Sequence, residues 1–503
     1  MPIPIYFMKN KTRNFHFLID AGSFAFLLLP NIIFLIGWYQ WYIGLPMATF
    51  SVYLFYRFCV GYGSNISLEE QEVPDRRFLL ILLGISVFLA YISGMGEMTY
   101  QVTDYIKHNV IFSNLATKPW PVIIEDPNQP DAFLCYGVAY YLPASLLGKL
   151  LGLKVVIAAS FLWGVSGIFL CLIWVNRTIN RYKWQFVVLF LFFAGLDPLF
   201  NIIDGQRNNL NDILSWDGLG FPILLSYMSP VRLIVWNPQY VFPAWIGVGL
   251  MVHLCRFHKN GVGISAFLSV LTILWAPFIT IGLIPVWIYF FIKDRFRNLF
   301  NYYSVSGVML AALIGTYFAA HQPIQDYPYL LWQEGVRQAI HDYTMFIIME
   351  IGVYLVLVYI IERKVSFIPK TFRPLMRLSI LVLLILPVYR MGIFNDFLMR
   401  VSMPSLFLMT IGVILVIYEI LAQKLYKKSV VTVALCLFYI IGATSPMRYM
   451  FTPFFPPGRY TQNSINDKQH SVFGMNALYD GWEISFQYTG SEKSFYYRYL
   501  SNR

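Results

Sequence analysis

Residues 96–109, "GEMTYQVTDYIKHN", set Asp104 and His108 one helical turn apart. On a helix the two share a face. A carboxylate so placed can take a proton from a hydroxyl, with the imidazole as its partner and Asn109 and Trp120 just downstream as substrate contacts. The competing reading makes Asp104 the cap of a helix over 105–115 and leaves His108 in solvent. A second candidate is "NDFLMR", residues 395–400. Here Arg400, beside Asn395 and Asp396, meets an apolar run, and its guanidinium fork fits the oxygens of a phosphate. The alternative is an arginine that snorkels and only sets helix depth, and Arg390 is a weaker version of the same case. In "WNPQYVFPAW", residues 236–245, Trp236 and Gln239 offer an aromatic face and an amide of the kind that binds sugars, or else an interfacial belt. Asp212 and Asp217, in "DGQRNNLNDILSWDG", are possible second acids. With the nearby asparagines they could ligate a divalent metal ion.

The elements that carry these residues are membrane spans. The chain has 503 residues, 58% hydrophobic and 13% charged, about half the charge of a soluble domain. Apolar runs of bilayer length recur throughout without strand alternation, which predicts an all-α polytopic membrane protein. About thirteen spans are expected, near 16–36, 39–59, 78–94, 152–175, 184–203, 239–255, 262–277, 279–292, 304–320, 343–362, 377–393, 402–422 and 429–445. The pair within 262–292 is either one long tilted helix or two short ones broken at Pro277. The net charge of +11 does not point to nucleic acid, because the basic residues lie in short loops, as the positive-inside rule places them. Every second loop is basic, the group Arg177, Arg181 and Lys183 among them. This alternation predicts a cytoplasmic N-terminus and an outer C-terminal tail. The five cysteines form no CxxC motif and no disulfide framework.

The other loops, 95–132, 204–238, 321–342 and 394–401, are long, aromatic and acid-bearing. So is the tail, 446–503, which follows a multispanning domain over 1–445. All the candidate residues fall on this side. A long first outer loop with an acid soon after a span, then many spans and aromatic outer loops, resembles the GT-C superfamily of integral-membrane glycosyltransferases. More narrowly, "DYIKHNVIFSNLATKPWPV", "YYLPASLLGKLLG", "WNPQYVFPAW" and "NDFLMRVSMPSLF" resemble a group of bacterial multispanning membrane proteins. The resemblance implies a polyprenyl-phosphate-linked sugar donor and an acid in the first outer loop as base, here Asp104. The sequence departs from the superfamily in two ways: that loop has no adjacent acid pair at its start, and more than one span precedes it where one is usual.

The resulting expectation is a GT-C-like enzyme of a bacterial cytoplasmic membrane. It would move a sugar from a polyprenyl-phosphate donor to a glycan or lipid-linked acceptor on the outer face. Two alternatives remain open. One is an O-antigen type polymerase or ligase working through Arg337, His341 or Arg400. The other is a transporter or flippase for a lipid-linked precursor, which calls for charged or broken helices near mid-membrane and an inverted repeat. Such charges look nearly absent from the runs.

Overall fold

A computed structural model describes residues 11–67, 72–124, 132–204, 225–297, 301–321, 328–392, 395–427, 429–454 and 485–502. Over these residues the chain is an all-α membrane protein with only short strands. Seven helices are long and apolar enough to cross a bilayer: Asn14–Trp38, Trp41–Asn65, Leu153–Arg177, Pro238–Phe257, Val336–Glu362, Met403–Ala422 and Val430–Phe451. Shorter apolar helices include Gly261–Leu271, Pro277–Lys293 and Tyr302–Phe318.

Two predicted runs differ from a single straight helix. The run 184–203 breaks into Trp184–Leu191 and Asp197–Asp204. At the break the Leu196 N–H donates to the Met349 carbonyl at 2.8 Å, so the freed backbone is satisfied by a neighbouring helix, as lipid requires. The run 262–292 is a hairpin of two helices. Trp287 donates to the Val262 carbonyl at 3.1 Å, and the hydroxyls of Thr272 and Thr280 are 2.7 Å apart, so the helices lie antiparallel. Ala276 is extended and Pro277 opens the second helix, because a residue before proline avoids the helical region while proline suits a first turn. The helices have 11 and 17 residues, so they rise about 16 and 26 Å against a hydrocarbon core of about 30 Å. Each helix alone is therefore too short to cross that core, and the hairpin tip is recessed relative to a full span.

Basic loops gather at one end of the bundle. There Ile66 bridges His258, Arg256 donates to the carbonyls of Thr178 and Thr371, and Arg181 pairs with Glu419. The candidate residues gather at the opposite end. A three-stranded antiparallel sheet joins Ile123–Ile124, Ala132–Leu134 and Thr489–Ser491. The C-terminal segment continues onto the turn after the first span, where Asn502 N–H donates to the Trp38 carbonyl at 2.9 Å and Gln40 N–H to that of Leu500 at 3.0 Å.

Intramembrane charge is the main correction to the sequence reading. Arg177, counted among the loop residues, is buried against Asp20 of the first span, with Nη1–Oδ1 at 2.9 Å and both side chains 0% exposed. Nη2 reaches Oδ2 at 3.0 Å. Tyr62 donates to the same carboxylate at 2.5 Å, and His253 stands 3.3 Å from it. Four helices thus meet on one buried carboxylate. Glu350 is a second buried acid inside a predicted span; it sits in a π-helical turn, Ile348–Gly352, and accepts from the Tyr227 N–H at 3.2 Å.

Removing one partner of a buried pair leaves an uncompensated charge, which costs about 3–5 kcal/mol. Asp20→Asn should therefore lower unfolding stability in detergent on that scale, followed by tryptophan fluorescence. Arg181→Ala, at a half-exposed pair, should cost under about 1 kcal/mol. Similar losses for both variants would contradict the ranking.

Candidate functional site

Asp104 stands at the cap position of helix Tyr105–Thr117, but its side chain makes no capping bond. It pairs instead with Lys107, whose Nζ is 2.5 Å from Oδ2. His108 is not solvated; it is 0% exposed. The expected cap is therefore met in position but without its side-chain bond, and the expected exposure of His108 is not met. The direct pairing of Asp104 with His108 fails as well: Nδ1 of His108 lies 2.7 Å from the Tyr141 hydroxyl, with the Tyr105 ring edge-on at 5.1 Å. The Trp236 backbone approaches the same imidazole without completing a hydrogen bond to Nε2. Burial first, and then the Lys107 charge, holds the His108 pKa down at about 3, so the imidazole is neutral at working pH and cannot act as an acid there.

Arg400 sits on the short helix Asp396–Val401, where Nη2 donates to Asp396 Oδ1 at 2.5 Å. Its guanidinium lies over the Tyr240 ring at 4.2 Å and the Phe278 ring at 5.9 Å, and Nε is buried without a partner. The turn before this helix is built for the pair. Asn395 takes a left-handed φ of 52°, which asparagine tolerates better than most residues. Gly392 has φ 91°, and a Cβ there would meet the Asp396 side chain at 2.9 Å. Asn395 is thus a turn residue at the entry to this helix.

Arg400 and Asp396 open onto a cavity of about 220 Å³. Its walls include Tyr136, Tyr240, Phe318 and His321, with the recessed hairpin tip, Trp275 to Phe278, as the floor. Gly137 also lines it; a Cβ there would stand 2.2 Å from the Trp275 carbonyl, so only glycine lets the segment 132–141 cross the tip. Tyrosines link this cavity to the Asp104 side. The hydroxyls of Tyr136 and Tyr240 are 2.6 Å apart. Tyr136 packs on Tyr488 at 4.7 Å and on Tyr141 at 6.5 Å, and Tyr141 holds His108. Burial pushes the Tyr488 phenol up to about 12. The structure thus brings Asp104–Lys107 and Arg400–Asp396 to opposite sides of one tyrosine cluster, although Asp104 and His108 do not line the cavity itself.

Other candidates are placed differently. Asn109 gives its amide to Gln101 at 2.8 Å, holding the loop. Trp120 donates to the Leu115 carbonyl at 2.8 Å and packs on Trp38 at 4.8 Å, a structural seat. Gln239 is wholly buried with both amide atoms unpartnered, and the Trp236 indole nitrogen is likewise unpartnered; neither residue lines the cavity. Arg390 donates to the Tyr329 hydroxyl. Asp212 and Asp217 lie outside the described residues. Among the described residues no cluster of His, Cys, Asp or Glu could hold a metal ion, and Asp104 and Asp396 are each tied to a cation. The sequence reading missed Lys107 and the tyrosines. The "YGVAYYLP" run and the Tyr in "NPQYVF" were their only signals.

Compared with known proteins, the chain matches no family model, no curated protein and no solved structure.

A neutral buried histidine predicts a pH dependence of defined sign. The His108 pKa is lowered on folding, so the unfolded chain binds the extra proton and stability is lost as pH falls below about 6.5. At pH 5 the loss from this residue is about 2 kcal/mol. Thermal unfolding at pH 7.5 and 5 should show a smaller acid-induced drop in His108→Gln than in the wild type; an equal drop would mean that His108 is not held neutral.

Proposed function

We propose that this protein is a membrane glycosyltransferase of GT-C type, transferring a sugar from a polyprenyl-phosphate donor to a cell-envelope acceptor. The observation that carries the reading is the position of Arg400: a guanidinium in an aromatic cavity, packed over Phe278 of the hairpin tip, with an acid on the far side of a tyrosine cluster. A prenyl chain would lie in lipid with its phosphate at the depth of Arg400. The aromatic walls suit a sugar ring, and the Asp104 side would receive the acceptor.

The acceptor oxygen attacks the anomeric carbon, and its proton passes to Asp104. The bond from the anomeric carbon to the phosphate oxygen breaks, and the electron pair leaves on the prenyl phosphate, with inversion at carbon. Arg400 stabilises the charge that builds on the departing phosphate. For this, Asp104 exchanges Lys107 for the acceptor hydroxyl. His108, neutral and held by Tyr141, orients the neighbouring tyrosines.

About thirteen crossings, a cytoplasmic basic end and an outer loop-rich end belong to the same proposal, in a bacterial cytoplasmic membrane. The clustering of basic loops at one end supports that orientation. The polymerase or ligase alternative gains nothing from Arg337 and His341, which are exposed on helix Val336–Ile347. The transporter alternative gains intramembrane charges, but Asp20 and Arg177 neutralise each other.

Asp104→Asn should leave the protein inserted and folded while cutting transfer by about 10²-fold or more, since the amide takes no proton at neutral pH. Near-normal product formation would assign the base elsewhere. Arg400→Lys keeps the charge but loses the fork, so it should weaken use of the donor and leave acceptor dependence unchanged. Wild-type dependence on both substrates would remove Arg400 from the site.

A further inference from the structure

The far C-terminal segment enters the site built by the rest of the chain. Strand Thr489–Ser491 pairs with Ala132–Leu134, and the Cys135 N–H donates to the Tyr488 carbonyl at 2.9 Å. A further bond runs from Ser491 N–H to the Ala320 carbonyl at 2.9 Å. This double anchorage fixes the register of the two residues before the strand. It puts Gln487 on the cavity wall and lays the Tyr488 ring on Tyr136, with 4% of Tyr488 exposed.

If the segment were only a plug, a phenylalanine would fill the same space and pack on Tyr136 equally well. Tyr488 instead carries a hydroxyl that makes no hydrogen bond among the described residues. Lys107, Tyr240, Asp104 and Arg400 all act on it through space, and its ring packs on Tyr136, whose hydroxyl meets that of Tyr240 on the cavity wall. A hydroxyl without a partner in the protein can bond a ligand group that supplies one. Charged ligand groups have Arg400 to meet them. A phenol and a primary amide, set among aromatic faces, match neutral ligand hydroxyls instead.

The geometry points to Tyr488, with Gln487, as the residues that recognise the sugar hydroxyls of a prenyl-phosphate ligand whose phosphate lies on Arg400. This rests on the proposed glycosyl-transfer reading and adds to it that sugar specificity is set by the last segment of the chain. One ligand would then touch residues drawn from both ends of the sequence.

The test uses the full-length protein in nanodiscs. The probes are farnesyl phosphate, which lacks a sugar, and its glucosyl, mannosyl and galactosyl esters, with affinities taken from tryptophan fluorescence. The wild type should bind at least one ester more tightly than farnesyl phosphate. Tyr488→Phe should bind farnesyl phosphate unchanged and lose about five- to tenfold on that ester, the scale of one neutral hydrogen bond. Gln487→Ala should show the same split. Unchanged ester affinity in both variants overturns the assignment, and so does an equal loss for both ligands, which would mark a packing role. A wild type that binds farnesyl phosphate but shows no ester preference overturns it too. A wild type that binds none of the four probes defeats the underlying reading of the site, and this inference with it.

Discussion

The guanidinium of Arg400 is a cation with its side chain only 20% exposed, and most of this end of the molecule can be understood as what that demands. A charge in such a place must be paired and covered. Asp396 pairs it from the same short helix, and Tyr240 covers one face. Pairing from within one helix requires a sharp entry turn, hence the left-handed Asn395 and the glycine at 392. Covering it requires helix Pro238–Phe257 and the hairpin tip to converge, hence Pro277 at the tip and a glycine at 137 where the chain crosses it. Nε remains buried without a partner, and the guanidinium with its Asp396 partner is the charged part of the cavity lining.

At the other end the same rule is met away from the cavity, although Arg177 Nε is also left without a partner. Asp20 and Arg177 neutralise each other, with Tyr62 and His253 around them. That network fastens the first two spans to the helices Leu153–Arg177 and Pro238–Phe257. Helix Pro238–Phe257 is common to both ends, carrying Tyr240 near its start and His253 near its finish. A rigid shaft between a locked end and a cavity end suits a protein whose site must keep its geometry inside a fluid bilayer.

The helical membrane class was legible in the sequence because apolar length is a one-dimensional signal that lipid enforces residue by residue. Asp104, Asp396 and Arg400 stood out as polar residues next to apolar runs, but the partner of Asp104 is Lys107 rather than His108. What escaped were pairings between distant segments. Arg177 looked like a loop cation because its partner, Asp20, lies on another span. Tyr488 and Tyr136 meet through a strand register that no local pattern encodes. Gln239 and Trp236 were chosen from the right motif, but the helical phase turns Tyr240, not Gln239, toward the cavity. His108 was read as a charge partner because i, i+4 spacing predicts a shared face, whereas tertiary burial gave it to Tyr141.

The central claim is that Arg400 and Asp104 serve one ligand across the tyrosine cluster. A cryo-electron microscopy structure of the full-length protein in nanodiscs with a bound farnesyl-phosphoryl hexose tests it most directly. The account predicts phosphate density on the Arg400 guanidinium, the sugar between Tyr240 and Tyr488, and the anomeric carbon facing Asp104. Density seated elsewhere, or a sugar turned away from Asp104 with the phosphate remote from Arg400, would contradict it.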